Sequence, residues 1–302
     1  MVKLNIKYKF NCKFILKNKL IIIFCFISFL IIYLKKNNQF RVLVFACCDE
    51  FYSHYIPIFC DTLLRSDKLK KIDIEIGVNI KKLSENEEKA LKYLRKKYFY
   101  SKIKIDYNIF IKNKTGTFYK NYKIWPNSVR FIAQPSIKNK YIYITDIDIL
   151  IFRNNFYLDL IDDLKRRNRK YSNIIRINTK RLTGLHFIEY DSYYPIGNLD
   201  FLPNININDE ALLYNIMEHK KIKLNNDTQY RPSFGIHLSP NRKNVFNYGL
   251  IPGWGADNYK FQWLEYIKSK DFKFIYPLLD QTITKKITKL NEFYAINEIN
   301  IN

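Results

Sequence analysis

An α/β fold with a mainly parallel sheet, covered by helices on both faces, is predicted by three features of this 302-residue sequence. Short apolar runs alternate with stretches of helical spacing from Arg41 onward. One of those runs leads into two carboxylates, Asp146 and Asp148. No repeat, heptad array or Pro/Gly/Ser linker interrupts the chain after about residue 40, so residues 41–302 read as one domain. Strands that take turns with helices pair in parallel, because each crossover returns the chain to the same end of the sheet.

The first element is Leu20 to Leu34, fifteen residues without a charge. As a helix it spans about 22 Å, and Lys17, Lys19, Lys35 and Lys36 can snorkel to cover what is missing from a hydrocarbon core of ~30 Å. No small-x-small site follows it, so an uncleaved anchor is expected rather than a signal peptide. Six lysines precede it in a basic tail, residues 1–19, against Lys35, Lys36 and Arg41 after it. That balance places the N-terminus in the cytosol, as in a type II membrane protein, with the domain lumenal in a eukaryote. In a bacterium the orientation would have to be reversed.

Arg41 to Ala46 predicts the first strand, Asp49 to Tyr55 a polar turn and Ile56 to Leu64 a helix. Lys71 to Val78 predicts a second strand. Ser84-Glu85-Asn86-Glu87 is a capping box that opens a helix through Lys97, and Lys102 to Tyr107 alternates as a third strand. A polar loop from Lys112 to Lys123 precedes a helix from Ser128 to Ile137, interrupted near Pro135. Downstream, Leu158 to Arg169 is expected as a helix, Ser172 to Asn178 as a strand, and Asn208-Asp209-Glu210 as the start of a helix through His219. Gly249 to Asn258 reads as a loop.

Tyr141 to Phe152 carries the chemistry. Tyr141 to Ile144 has the composition of a strand buried on both faces, and two carboxylates in the apolar run after it are costly unless compensated. At alternate positions of an extended segment, Asp146 and Asp148 would leave on the same side and reach one centre. A divalent cation against a diphosphate meets that demand, since hard oxygen donors suit Mg²⁺ or Mn²⁺. The same spacing also fits a strand end that caps the next element. In a doubly wound sheet ligands bind beyond the carboxyl ends of strands, where these two residues fall.

Net charge is +23; taking away the nine Lys or Arg of the first 41 residues, which hold no acid, leaves +14. Such a domain fits phosphate-bearing substrates, an anionic membrane or nucleic acid, and charge alone does not choose among them; no nucleic-acid module is recognised in the sequence. Cys47, Cys48 and Cys60 form no CxxC pair and read as packed thiols. Asn113 and Asn226 head glycosylation sequons. His186 reads as a core residue and His54 and His219 as surface or helix residues, while His237, in a Gly-x-His setting, fits a core residue or a metal ligand.

Together, an N-terminal βαβ half, a strand leading to Asp146-Ile147-Asp148, the acidic helix start and the late Gly-x-His resemble the GT-A (Rossmann-like) class of nucleotide-sugar glycosyltransferases, family eight in particular, over roughly Arg41 to Tyr276. The resemblance implies Mn²⁺ (or Mg²⁺) and the diphosphate of a donor such as a UDP-sugar on Asp146 and Asp148, with His237 as a further ligand. It also implies contact of Asp209 and Glu210 with sugar or acceptor, and either could serve as a base in an inverting enzyme. Arg130 or Arg242 could offset charge on the leaving phosphate, and each also fits a solvated surface. The implied function is a membrane-anchored transferase that moves a sugar to a glycan, protein or lipid. A non-catalytic membrane-tethered binding module is the alternative, and an Asp-x-Asp phosphohydrolase a second.

Overall fold

The computed structural model describes residues 40–112, 118–119, 122–123, 126–202, 208–224, 234–238 and 256–296. The chain divides into two compact units, residues 1–40 and 41–302. Of the first, only Phe40 is described, so the expected tail and anchor lie outside the described residues, as do Arg242 and both sequons. Among the described residues no helix is long and apolar enough to cross a membrane.

The second unit is built on strands β1 (Val42–Cys48), β2 (Ile72–Val78), β3 (Ile103–Asp106), β4 (Phe118–Tyr119), β5 (Tyr122–Lys123), β6 (Tyr141–Ile144), β7 (Ile149–Ile151), β8 (Tyr171–Ser172), β9 (Ile175–Arg176), β10 (Arg181–Leu182), β11 (His186–Glu189) and β12 (Gly235–His237). Six of them form the main sheet in the order β3-β2-β1-β6-β11-β8. β1, β2, β3 and β6 are parallel, and β11 runs against both β6 and β8, which makes the sheet mixed and mostly parallel. Helices flank it. The smaller ribbons are β4–β5, β9–β10 and β7–β12, all antiparallel.

β1 is central and buried along its whole length, as its uninterrupted Val-Leu-Val-Phe-Ala-Cys-Cys run demands. From β1 the chain winds outward to β2 and β3, then returns across the sheet to β6. Right-handed crossovers in opposite directions put helices on opposite faces. Accordingly, Pro126–Ile132 and Asp209–His219 cover one apolar core, with Phe45, Val129, Phe131, Ile144 and Leu213 buried in it. Ile56–Ser66 and Glu85–Lys97 pack together elsewhere, against Lys270–Ile275 near the C-terminus.

β2 carries acids at alternate positions, and both are buried. Asp73 accepts from Arg41 (2.7 and 2.8 Å), the Lys102 amide (2.8 Å) and Asn139 (3.0 Å). Glu75 accepts from the Ser136 and Ile137 amides (2.9 and 2.8 Å) and Lys104 (3.1 Å). Buried charge is tolerable when it is satisfied in this way, and here it pegs the turns that lead into β3 and β6.

The capping box forms as expected: Ser84 Oγ accepts from the Glu87 amide at 3.2 Å and Glu87 accepts from the Ser84 amide at 2.7 Å. Other expectations are corrected. Asp49 accepts from the Phe51 and Tyr52 amides, so the polar turn winds into a short helix, Glu50–Ser53. The helix expected to reach Ile137 stops at Ile132, ahead of Pro135, which cannot supply an amide. The helix expected through Arg169 ends at Arg166. The strand expected over Ser172 to Asn178 is two short pieces in different sheets. Between them Asn173 uses its side chain to hold the Thr183 amide (3.0 Å) and carbonyl (2.9 Å), in competition with ladder pairing.

Candidate active site

The topology reverses between β1 and β6, and ligands in such sheets collect beyond the strand ends at that reversal. Thr145 continues the ladder for one residue, its amide 3.0 Å from the Phe45 carbonyl. The chain then turns through Asp146, Ile147 and Asp148 before β7 leaves the main sheet to pair with β12. This corrects the expectation of an extended segment: the two aspartates stand in a turn, and they engage different partners.

Asp146 faces Arg130. The guanidinium, on the helix Pro126–Ile132, is ion-paired with Asp146 and donates to Asp209 Oδ2 at 3.1 Å. Only 6% of the Arg130 side chain is exposed. Burial alone would lower its pKa, but Asp146 and then Asp209 outweigh that and raise it, so the cation is firmly held. Asp209 opens the helix Asp209–His219, whose first turn is capped by Asn208, and Glu210 comes next, half-buried. Gly184 lies against this pair; a Cβ there would come 2.7 Å from the guanidinium and 3.4 Å from Asp146 Oδ2.

Asp148 faces His237. β12 pairs with β7 so that His237 stands opposite Ile149, and the Leu238 amide donates to the Asp148 carbonyl at 2.9 Å. His237 Nε2 lies 2.9 Å from Asp148 Oδ1, and both side chains are 6% exposed. The other ring nitrogen, Nδ1, is buried without a hydrogen-bond partner among the described residues. Behind the pair, the Tyr55 hydroxyl donates to the Leu238 carbonyl at 2.8 Å. Lys286, from the C-terminal helix Gln281–Phe293, reaches the same hydroxyl and donates to the same carbonyl at 3.3 Å. Its pKa is lowered by burial, with Asp148 acting in the opposite direction.

Both aspartates come within electrostatic reach of Tyr52, whose hydroxyl pKa is raised by burial, then by Asp148, Asp49 and Asp146. Of the residues singled out from sequence, Asp146, Asp148, Asp209, Arg130 and His237 are therefore brought to one end of β6. Arg242 lies outside the described residues. Sequence reasoning missed Tyr55, Gly184 and Lys286. Their signals are weak, since a tyrosine beside a helix, a glycine in a turn and a lysine in a lysine-rich chain carry no spacing.

His186 is fully buried in β11 and 3.1 Å from Asn173, and burial pushes its pKa down to about 3, which fits a neutral core residue. Burial raises the thiols of Cys47, Cys48 and Cys60, which are packed, not reactive.

No family model matches this chain, and no curated relative does. Among solved structures, it overlays the galactosyltransferase LgtC in complex with donor and acceptor sugar analogs at 13% identity and a TM-score of 0.34, over 49% of this chain and 58% of that one. It spans little more than half of LgtC. The mannosyltransferase PcManGT from Pyrobaculum calidifontis, in complex with GDP-Man and Mn²⁺, overlays at 12% identity and a TM-score of 0.39, over 87% of this chain and 77% of that one. For S. aureus TarS 1–349 the values are 11%, 0.37, 84% and 70%. These overlaps are too shallow to bear on chemistry, which rests on the side chains themselves.

The side chains present bear directly on the implied cation. A carboxylate oxygen and an imidazole nitrogen already stand together at Asp148 and His237, and that pair of donors suits Mn²⁺. Asp146 is instead occupied by Arg130, and among the described residues no three His, Cys, Asp or Glu side chains are gathered as one metal cluster.

Proposed function

We propose that this protein is a metal-dependent glycosyltransferase of the GT-A type, anchored through Leu20 to Leu34, that moves a hexosyl group from a nucleotide-diphosphate donor to a glycan, protein or lipid acceptor. The observation that carries the reading is the convergence of Asp146, Asp148, Arg130, Asp209 and His237 from four separate segments on the carboxyl end of β6.

Breaking a sugar-to-diphosphate bond builds negative charge on the departing phosphate, and a bound divalent cation offsets that charge where it forms. Asp148 and His237 are the residues that would hold the cation. Arg130 pairs with and orients Asp146 and Asp209, so that this end of β6 would present carboxylates to sugar hydroxyls. Asp209 or Glu210 would receive the acceptor proton if the reaction inverts. Lys286, drawn toward Asp148 from the C-terminal helix, adds a cation at the same end.

The test is a panel of UDP- and GDP-sugars against the full chain in detergent, read by thermal shift with and without Mn²⁺ and by donor turnover. A metal-dependent shift and turnover, both lost in Asp148→Asn with the metal-free melt unchanged, are expected. Turnover that persists in chelator would end the metal mechanism. Donor binding without turnover, whatever the acceptor, would favour a tethered binding module.

A further inference from the structure

The two ends of the main sheet carry opposite charge. At the carboxyl end lie Asp106, which closes β3, and Asp146 and Asp148 after β6, with Asp49 and Glu50 just beyond β1. At the amino end a basic residue stands immediately before each of the five mutually parallel strands: Arg41 before β1, Lys71 before β2, Lys102 before β3, Lys140 before β6 and Lys170 before β8. Register sets Arg41, Lys71 and Lys140 at one level, because Val42 pairs with both Ile72 and Tyr141, and sets Lys170 one residue further in, because Tyr141 pairs with Glu189 and Tyr171 with Ile188. Lys68 and Lys70 add two exposed cations in the turn before β2.

The acids at this end offset only part of that charge: half-buried Glu189 stands opposite Tyr141, beside Lys140 and Lys170. Asp67 and Asp73 are buried, and Asp73 is taken by Arg41. Asp163 is buried beneath Arg166 and Arg167. Asp191 is exposed and pairs with Lys138 at 2.8 Å.

Apolar side chains stand out from the same collar. Phe99 is 83% exposed and Leu69 47%. They belong to this end by direct contact: Arg41 donates to the Lys70 and Tyr100 carbonyls at 3.3 and 3.2 Å, Lys70 sits over the Tyr100 ring at 5.1 Å, and the Phe99 and Tyr100 rings are 5.9 Å apart. Exposed aromatic and aliphatic tips beside lysines suit a bilayer surface, where the tips enter the headgroup region and the amines meet lipid phosphates. A nucleic-acid backbone would use the cations and leave Phe99 and Leu69 without a role.

The chain also leads there. Arg41, at the foot of β1, is seven residues beyond Leu34, the end of the uncharged run, a reach of at most about 25 Å. We propose that the amino-terminal pole of the sheet, with Phe99 and Leu69 standing out from its β3–β2 side, docks on an anionic phospholipid bilayer and so turns the Asp146/Asp148 end away from it. This concerns orientation at a surface, and it stands or falls independently of the transferase reading.

The test uses the full chain reconstituted in vesicles of phosphatidylcholine with phosphatidylglycerol, against phosphatidylcholine alone, with acyl chains brominated to quench tryptophan. Phe99→Trp, and Leu69→Trp as a second probe at another exposed position, are read after subtraction of the signal from Trp125, Trp254 and Trp263. Quenching is expected in the anionic vesicles. It should be weaker in phosphatidylcholine alone, and weaker again at about 1 M salt, where the Debye length falls to roughly 3 Å. Each basic residue near an anionic surface strengthens association roughly fivefold, so the combined variant K70E/K102E/K140E/K170E should abolish the quenching while donor turnover in detergent is unchanged. Probes that remain fully open to aqueous iodide in anionic vesicles would overturn the proposal. So would shielding by duplex DNA with no quenching by lipid.

Discussion

Asp61 offers a sharp test of the second helical layer. It lies on the helix Ile56–Ser66 with no exposed surface, accepting from Tyr266 at 2.8 Å and Tyr98 at 3.3 Å. Burial, then the charge of Asp271, raises its pKa from 3.8 to about 7, against the hydrogen bond from Tyr266 and the cations Lys97 and Arg65. A carboxyl whose folded pKa is raised stays protonated in the native state while the unfolded chain has released its proton. Between pH 3.8 and about 7 the folded state binds the extra proton, so its stability falls as pH rises across that window. Just over three pH units at about 1.4 kcal/mol each give a loss of roughly 4 kcal/mol. Asp61→Asn copies the protonated form in shape and cannot ionise. Its advantage over the native chain should be near zero below pH 4, grow through the window and level off above about pH 7, where the melt of the variant would be higher by ~8 °C at roughly 2 °C per kcal/mol. Melts of both proteins in the same detergent from pH 4 to 8 decide it. A difference that stays flat over that range would show that the two tyrosine hydroxyls keep Asp61 ionised, and the reasoning would fail.

The site itself carries further expectations. A Cβ at Gly235 would lie 1.7 Å from the Leu150 carbonyl oxygen, a clash between backbones that no rotamer relieves. Gly235→Ala should therefore part β12 from β7, cost upward of about 3 kcal/mol in denaturant unfolding and remove the Mn²⁺-dependent shift by withdrawing His237 from Asp148. Arg130→Met leaves Asp146 and Asp209 without their shared cation. Breaking a buried pair costs about 3–5 kcal/mol, and partial exposure of the two carboxylates, 28% and 18%, brings the expected loss to the lower end in the same unfolding experiment. Lys286→Met should lower donor affinity roughly tenfold by titration calorimetry, the worth of one charge-assisted hydrogen bond of about 1.5 kcal/mol, with little change in the melt.

How much of this could be read from the residues alone differs from element to element. β1, β2 and the capped helix Glu85–Lys97 were legible because period and capping chemistry are local, and local physics acts within a few residues of itself. The stretch around Ser172 was misread because Asn173 and Thr183, ten residues apart, satisfy each other through side chains, which no periodicity reports. The helices beyond residue 258 escaped a specific reading, and with them Lys286.

From its own letters the chain determined an alternating α/β order, a strand leading into Asp146 and Asp148, and a basic balance, since each depends on neighbours in sequence. Tertiary structure decided the partners. Arg130 takes Asp146 and His237 takes Asp148 because helix Pro126–Ile132 and strand β12 arrive from 16 and 89 residues away to meet one turn. It likewise gathered five scattered basic residues at one end of the sheet, because parallel pairing of β1, β2, β3 and β6, with antiparallel β11 between β6 and β8, lines up strand beginnings that the sequence keeps far apart.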